Sequence, residues 1–171
     1  MTRHATKIFG IDTIDDYLVL CSEAVVKLQQ DEDDVLSAFA AILALNHIPD
    51  WLQHKLTDVQ RDALGLTGSK VGDAVKDYFE EQNPDLKRVR DIANGFKHLK
   101  PVHPTEKISG YGSGPYGVGP FGAPYLLIDL GEDKPASERW DVGFDLCQRV
   151  LGWWRTELSK LDYPAGETKN V

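Results

Sequence analysis

The feature that most constrains this chain is a run of apolar residues, VLSAFAAILALNHI, at residues 35–48. Apolar side chains fill almost every position of the run, so a helix formed from it is apolar on nearly every side. Such a helix is stable in water only where other elements cover it. We therefore expect it to be the central, most buried helix of the fold. Continued through its end, this helix places Asn46 on the same stripe as Val35, Phe39 and Ile42.

Other segments carry the apolar periodicity, or the start and stop residues, of helices. They span residues 12–30, 57–65, 69–82, 84–100 and 137–161. Pro49 interrupts the apolar run and predicts a kink or a new helix start at residues 49–56.

Residues 105–131 differ in kind from the helical segments. They contain an imperfect repeat, YGSGP-YGVGP-FGAP, in which Gly and Pro recur too densely for a helix. The flanking sequences EKISGY and PYLLIDL have the composition of strands, which predicts a β-hairpin with a long Gly/Pro/aromatic tip. The chain is therefore expected to be mostly α. We predict one domain, residues 1–171, forming an antiparallel four- to five-helix bundle with a β-hairpin insertion at about residues 105–131.

Composition narrows the function classes. The net charge of −8 and the pI near 5.0 argue against a broad electrostatic surface for nucleic acid, although Lys87, Arg88, Arg90, Lys97 and Lys100 form a local basic cluster. Two cysteines in apolar helical patterns are interpreted as buried thiols rather than a disulfide. The N-terminal segment lacks the apolar core of a signal peptide, and no apolar run approaches the length of a membrane-spanning helix. We therefore expect a cytoplasmic protein without a membrane partner.

The segment RDIANGFKHLK at residues 90–100 is the first candidate site. On a helix, Lys87, Asp91, Asn94 and His98 fall on one stripe opposite the apolar one. This stripe is typical of a solvent face, with the histidine stabilising the helix C-terminus. Gly95 favours a functional interpretation, since a glycine beside the stripe suits the close approach of a backbone or ligand.

The second candidate site is NHIPDWLQH at residues 46–54, where Asn46 and Asp50 emerge from an apolar helix. A polar group on an apolar helix is costly to bury unless it has a hydrogen-bond partner. Buried ionisable groups are also frequent at functional sites. The structural alternative is that Asp50 caps the second half of the broken helix. The spacing of His47, Asp50 and His54 is a weak pattern for a metal site that His98 or His103 would complete, and we predict neither metal nor cofactor.

Together these segments resemble a group of uncharacterised bacterial and phage proteins that carry an H-x-x-D-W segment and a downstream D-I-A-N-x-x-K-H segment. The residues that match the first segment are His47, Asp50 and Trp51. Those that match the second segment are Asp91, Asn94, Lys97 and His98. A looser resemblance is to HEPN domains, helical bundles that often dimerise and that include metal-independent ribonucleases. Asn94 and His98 match the polar residue and histidine of the HEPN signature, Ala93 stands at its arginine position, and Arg90 lies one turn earlier.

This resemblance implies a dimeric protein that acts on RNA or a nucleotide. His98 would carry a proton, Arg90 or Lys97 would neutralise charge on a phosphate, and Asn94 would orient the histidine or bind phosphate. Asp50 would fix the tautomer of His98, which requires the two segments to meet in space. The alternative hypothesis is a non-enzymatic module that binds a protein partner through the aromatic tip of the hairpin.

Overall fold

The computed structural model describes residues 9–66, 71–98, 102–110 and 113–161. The chain is mostly helical, with 60% helix and a small three-stranded antiparallel sheet. Its elements in chain order are α1 (Ile14–Gln30), α2 (Val35–Asn46), α3 (Ile48–Lys55), α4 (Asp58–Ala63), α5 (Val71–Gln82), α6 (Pro84–His98), β1 (Thr105–Ile108), β2 (Tyr125–Asp129), β3 (Trp140–Val142) and α7 (Gly143–Lys160). The start of the helix predicted at residues 69–82 and the end of the helix predicted to reach residue 100 lie outside the described residues.

Capping side chains set the starts of the first helices. Thr13 and Asp16 form a reciprocal capping box at α1, in which each side chain accepts a hydrogen bond from the other residue's backbone N–H. The Asp34 carboxylate accepts hydrogen bonds from the backbone N–H groups of Leu36 and Ser37 at the start of α2. These contacts satisfy N–H groups that have no partner within the helix.

Pro49 lies in the first turn of α3, where a missing backbone N–H costs little. The predicted new helix start is therefore confirmed, and only His47 separates α2 from α3. Together they form one 21-residue stretch, Val35–Lys55, that is long and apolar enough to cross a membrane by length and composition alone. The expectation that no run approaches that length was wrong, because the chain stays helical through Pro49. Core helices of soluble proteins pass the same test, so this is weak evidence for a membrane span.

The central helix is less buried than the sequence indicated. Ala38, Ala41 and Leu45 are in the core, whereas Val35 is 58% exposed, Leu36 69% and Phe39 37%. Of the stripe through Val35, Phe39 and Ile42, Ile42 is in the core at 3% exposed, whereas the other two residues are exposed. The face that packs inward is centred on the small residues, because alanines allow neighbouring helices to approach closely.

The sheet contains the expected antiparallel pair and one strand that was not expected. Strand β1 pairs with β2, with Thr105 opposite Ile128 and Ile108 opposite Tyr125. Strand β3 pairs with the other edge of β2, so the strand order is β1-β2-β3. Residues 140–142 were predicted to belong to the C-terminal helix, which instead begins at Gly143. That prediction was wrong because the open edge of β2 offers ladder hydrogen bonds that helical periodicity does not reveal.

The main core joins α7 to the other helices. Trp154 and Phe79 are fully buried, with ring centroids 4.9 Å apart in an edge-to-face arrangement. Cys21 and Cys147 are free and buried, as the sequence indicated. Burial raises the pKa of each thiol to about 12, so both remain protonated at neutral pH.

The direction of α6 relative to α2 decides which polar residues can meet. The Phe96 ring, near the end of α6, packs 5.0 Å from Phe39 in the first half of α2. Val89, nearer the start of α6, lines one crevice with Leu45 at the end of α2. The two helices are therefore antiparallel, and the end of α6 lies beside the start of α2.

Candidate acid–base site

Most of the polar stripe of α6 faces solvent, with Asp91 as its one largely buried member. Asn94, Lys97 and His98 are exposed. Lys87 and Asp91 form an i,i+4 ion pair, with Nζ 2.7 Å from Oδ2. This arrangement agrees with a solvent face, while Gly95 on the same helix is buried.

His103, from the segment before β1, approaches the same stripe. Its Nε2 lies 3.9 Å from the Asp91 carboxylate, and both side chains are largely buried, at 15% and 14% exposed. Among the described atoms, its Nδ1 is buried without a hydrogen-bond partner. The sequence offered His103 only as a weak metal ligand, and its place against Asp91 is a tertiary contact.

Asp50 is the centre of a second polar cluster, at the start of α3. One carboxylate oxygen lies 2.8 Å from Nδ1 of His47, and the other lies 2.7 Å from Nζ of Lys76 on α5. Burial disfavours the charged form of this carboxyl, but the hydrogen bonds from Lys76 and His47 outweigh burial and lower the pKa of Asp50. The group is therefore a carboxylate at neutral pH.

In the neutral form of His47, a hydrogen bond from Nδ1–H to the Asp50 carboxylate leaves the lone pair on Nε2. The His47 side chain is 53% exposed, so Nε2 can reach a substrate from solvent. An imidazole oriented by a carboxylate is the usual arrangement of a general base. Asp50 is also half-buried and fixed by Lys76, which limits the motion of the pair.

A crevice lies beside this cluster, between α2, α5, α6 and α7. Its polar lining consists of Asn46, Lys76, Glu80 and Arg90. The guanidinium of Arg90 lies 2.8 Å from a Glu80 oxygen and 3.6 Å from Asp77. Burial raises the pKa of Glu80, which the positive charge of Arg90 partly offsets. Perturbed carboxyls and paired cations around a concave surface are a common feature of functional sites.

Trp154 closes one side of the crevice. Its side chain is fully buried, and its indole Nε1 has no hydrogen-bond partner among the described residues. A buried N–H without a partner costs about 1–3 kcal/mol. The crevice has a volume of about 10 Å³, the space of about one water molecule, so the group is a donor available to a water that enters it.

The structure does not bring Asp50 to His98. Phe39 lies near the end of α6, and a rise of 1.5 Å per residue separates Phe39 from Asp50 by roughly 16 Å along the α2–α3 axis. Asp50 instead bonds to His47 and Lys76. The expected chamber containing His98, Asn94 and Asp50 is therefore not formed, because α2 and α6 run in opposite directions.

The arrangement contains no evident metal site. Within the described part of the chain, no group of three or more His, Cys, Asp or Glu side chains could hold a metal ion. His54 contacts Gln53 rather than joining His47 and Asp50.

Lys76, Glu80 and Trp154 are the site residues that sequence reasoning missed. Lys76 and Glu80 are four residues apart and share one side of α5, a spacing that was present in the sequence but common on any solvent-exposed helix.

Comparison of this chain with protein-family models, with curated proteins and with solved structures gave no match. The site is therefore interpreted from its own geometry.

Proposed function

We propose that this protein acts on RNA or a nucleotide, with a histidine as general acid and base, and that the histidine is His47. The observation that carries this proposal is the Asp50 carboxylate, which holds Nδ1 of His47 at 2.8 Å and Nζ of Lys76 at 2.7 Å. His98 is exposed, and none of its described contacts is with Asp50. A histidine with an orienting carboxylate is the better proton carrier.

The tautomer of His47 determines which of its ring nitrogens transfers the proton. With Nδ1–H donated to Asp50, Nε2 of His47 accepts a proton from a ribose hydroxyl or a water molecule that attacks the phosphorus atom. The resulting imidazolium is stabilised by the Asp50 carboxylate and returns its proton to the leaving oxygen.

Lys76 and Arg90 supply the charge that a phosphate requires. Each is paired with a carboxylate, Lys76 with Asp50 and Arg90 with Glu80. A phosphate oxygen at the mouth of the crevice competes with Glu80 for the guanidinium of Arg90, whose side chain is 32% exposed.

The decisive experiment compares His47, the residue just before α3, with His54, which lies about two turns later in α3. His47→Ala should reduce cleavage of a single-stranded RNA by about 100-fold or more, the usual contribution of a general base. His54→Ala should leave the rate unchanged, because His54 bonds only to Gln53 among the described contacts. Asp50→Asn should lower the rate and alter its pH dependence, since the amide no longer stabilises the imidazolium.

Two results would contradict the assignment. Equal activity of wild type and His47→Ala would remove His47 from the mechanism, and loss of activity only in His98→Ala would restore the α6 stripe as the site. Binding is measured separately by titrating inorganic phosphate and following the guanidinium Nε–H ¹⁵N–¹H signal of Arg90, assigned with Arg90→Lys. A signal that does not move would exclude the crevice as the phosphate subsite.

A second candidate function, binding of a protein partner, is supported by the loop between β1 and β2. Tyr116 and Phe121 are 106% and 89% exposed, and large aromatic side chains on a projecting loop are frequent binding anchors. Tyr116→Ser should abolish photo-crosslinking of a partner to the loop, whereas Val59→Ser, at a position on α4 that is 78% exposed, should not. Crosslinking that survives Tyr116→Ser would count against this function.

We also propose that the helical part is an antiparallel bundle of four to five helices. The opposed directions of α2 and α6 support this description. So does the hydrogen bond that the Tyr17 hydroxyl of α1 donates to the Ala44 carbonyl, since these residues lie near the start of α1 and the end of α2.

A further inference from the structure

Another concave surface lies beside β3, where the loop of residues 131–139 meets the first half of α6. Its volume is about 300 Å³, at the lower end of the range for sites that bind small molecules. The described residues that line it are Arg88, Leu130, Lys134, Glu138, Trp140 and Asp141. It is separate from the crevice beside Asp50, because Arg88 lies about 200° around α6 from Arg90.

The loop that forms one wall of this concavity is fixed at its base. The Leu130 N–H donates a hydrogen bond of 2.7 Å to the Arg139 carbonyl. The Arg139 guanidinium makes two hydrogen bonds to the Asp129 carboxylate, at 3.0 and 2.7 Å, and lies 4.4 Å from the centre of the Trp140 ring. The wall is therefore in place before a ligand arrives, which lowers the entropic cost of binding.

Two side chains of opposite charge on this loop line the concavity without pairing with each other. The Lys134 side chain is 46% exposed, and its Nζ is 3.8 Å from the neighbouring Asp133 carboxylate. Glu138 is exposed and forms no ion pair with any described residue. One cation and one carboxylate of the lining are thus available to a ligand.

Arg88 adds a second cation from α6. Its Nη1 lies 2.6 Å from Asp85 and 4.0 Å from Asp141, and its side chain is 35% exposed. A guanidinium has five N–H donors, so Arg88 keeps donors for a ligand carboxylate. Asp141 differs, because its two oxygens already accept hydrogen bonds from Arg149 and from the Val142 N–H.

We propose that this concavity binds a free α-amino acid with an apolar side chain. Arg88 and Lys134 bind the carboxylate of the amino acid, and Glu138 binds its ammonium group. The side chain of the ligand packs against the half-buried Trp140 ring and Leu130. This site is independent of His47 and of the reaction proposed for it.

The charge of the lining favours an amino acid over a nucleotide. Two cations and two carboxylates line the concavity. A ligand with one positive and one negative charge keeps that balance, whereas a phosphate adds negative charge beside Glu138 and Asp141. A zwitterion is therefore the better match.

The test is the affinity of the full chain for L-phenylalanine, measured by isothermal titration calorimetry. Wild type should bind phenylalanine, and should bind N-acetyl-L-phenylalanine and L-phenylalaninamide at least tenfold more weakly, because each lacks one of the two charges. Glu138→Gln should weaken phenylalanine binding by about tenfold and leave the affinity for N-acetyl-L-phenylalanine unchanged. Glu132→Gln is the control, since this side chain is on the same loop, is 90% exposed and does not line the concavity.

The site is located by nuclear magnetic resonance. Phenylalanine should shift the indole ¹⁵N–¹H signal of Trp140, assigned with Trp140→Phe, and leave that of Trp51 in place. No binding at millimolar phenylalanine, or binding that Glu138→Gln leaves unchanged, would overturn the proposal. So would adenosine monophosphate that binds more tightly than phenylalanine and gains affinity in Glu138→Gln. These affinities do not depend on RNA cleavage, so the amino-acid site and the proposed function can fail separately.

Discussion

Tyr125 shows how a single residue orders the Gly/Pro loop. Its hydroxyl donates a hydrogen bond of 2.8 Å to the Val118 carbonyl, and its side chain is buried. The glycines of the loop fit against this ring: a Cβ at Gly119 would lie 2.5 Å from it, and one at Gly114 would lie 2.3 Å from the hydroxyl oxygen. The repeat therefore encodes an ordered loop around one aromatic side chain rather than a loosely packed tip.

Gly119 and Gly117 form a matched pair for testing this packing. Both have positive φ, +73° and +77°, so alanine at either position costs about 1–2 kcal/mol from backbone conformation. Gly119→Ala also collides with the Tyr125 ring, which adds about 1–3 kcal/mol, whereas a Cβ at Gly117 has no atom within 4 Å. Urea unfolding should show the larger loss for Gly119→Ala, and equal losses would mean that Tyr125 does not hold the loop.

Which of the histidines acts as the general base could not be decided from the residues alone. The chain has five histidines, and the sequence favoured His98 because it shares a stripe with Asp91 and Asn94. His47 and Asp50 were recognised as candidates from their spacing near Pro49. The hydrogen bond between His47 and Asp50 is local, because both residues lie at the start of α3. Lys76 on α5, which pairs with Asp50, is 26 positions away in sequence. No local pattern predicts that contact.

At the scale of elements, Arg149 connects α7 to α6 and β3. Its Nε lies 2.9 Å from Asp85 and its Nη2 lies 2.6 Å from Asp141, and the two carboxylates are only 15% and 12% exposed. Burial disfavours the charged guanidinium, but the hydrogen bonds to Asp141 and Asp85 outweigh burial and raise the pKa of Arg149. This bridge explains how the short strand β3 is held at the start of α7.

Arg149→Leu should therefore destabilise the fold by about 1–3 kcal/mol, because the two poorly solvated carboxylates are left with Arg88 alone, at 2.6 Å from Asp85 and 4.0 Å from Asp141. Arg155→Leu on the same helix is the control, since Arg155 bonds to the Ser22 hydroxyl at an exposed position and should cost less than about 1 kcal/mol. Both are measured by thermal unfolding at pH 7. Adding Asp141→Asn to Arg149→Leu should recover part of the loss; a further loss would refute the electrostatic explanation.

At the scale of the whole molecule, the reaction rates of the two buried thiols measure how often the whole protein unfolds. Cys21 on α1 and Cys147 on α7 are both fully buried, and burial raises the pKa of each to about 12. A thiol reagent should therefore react with them only as fast as the protein unfolds, and at similar rates. Labelling of the native protein followed by mass spectrometry measures this. Val59→Cys is the exposed control and should react at once, while fast labelling of Cys21 alone would show that α1 opens separately.

The sequence by itself determined the helical segments, the break at Pro49, the antiparallel strand pair and the buried thiols, because periodicity, capping and turn residues act over a few positions. The tertiary structure alone decided the third strand, the exposed face of α2 and the separation of His98 from Asp50. Each of these depends on which element packs beside which, and in which direction. An apolar helix does not specify which of its sides the rest of the chain covers, and a polar residue does not specify which distant side chain it meets.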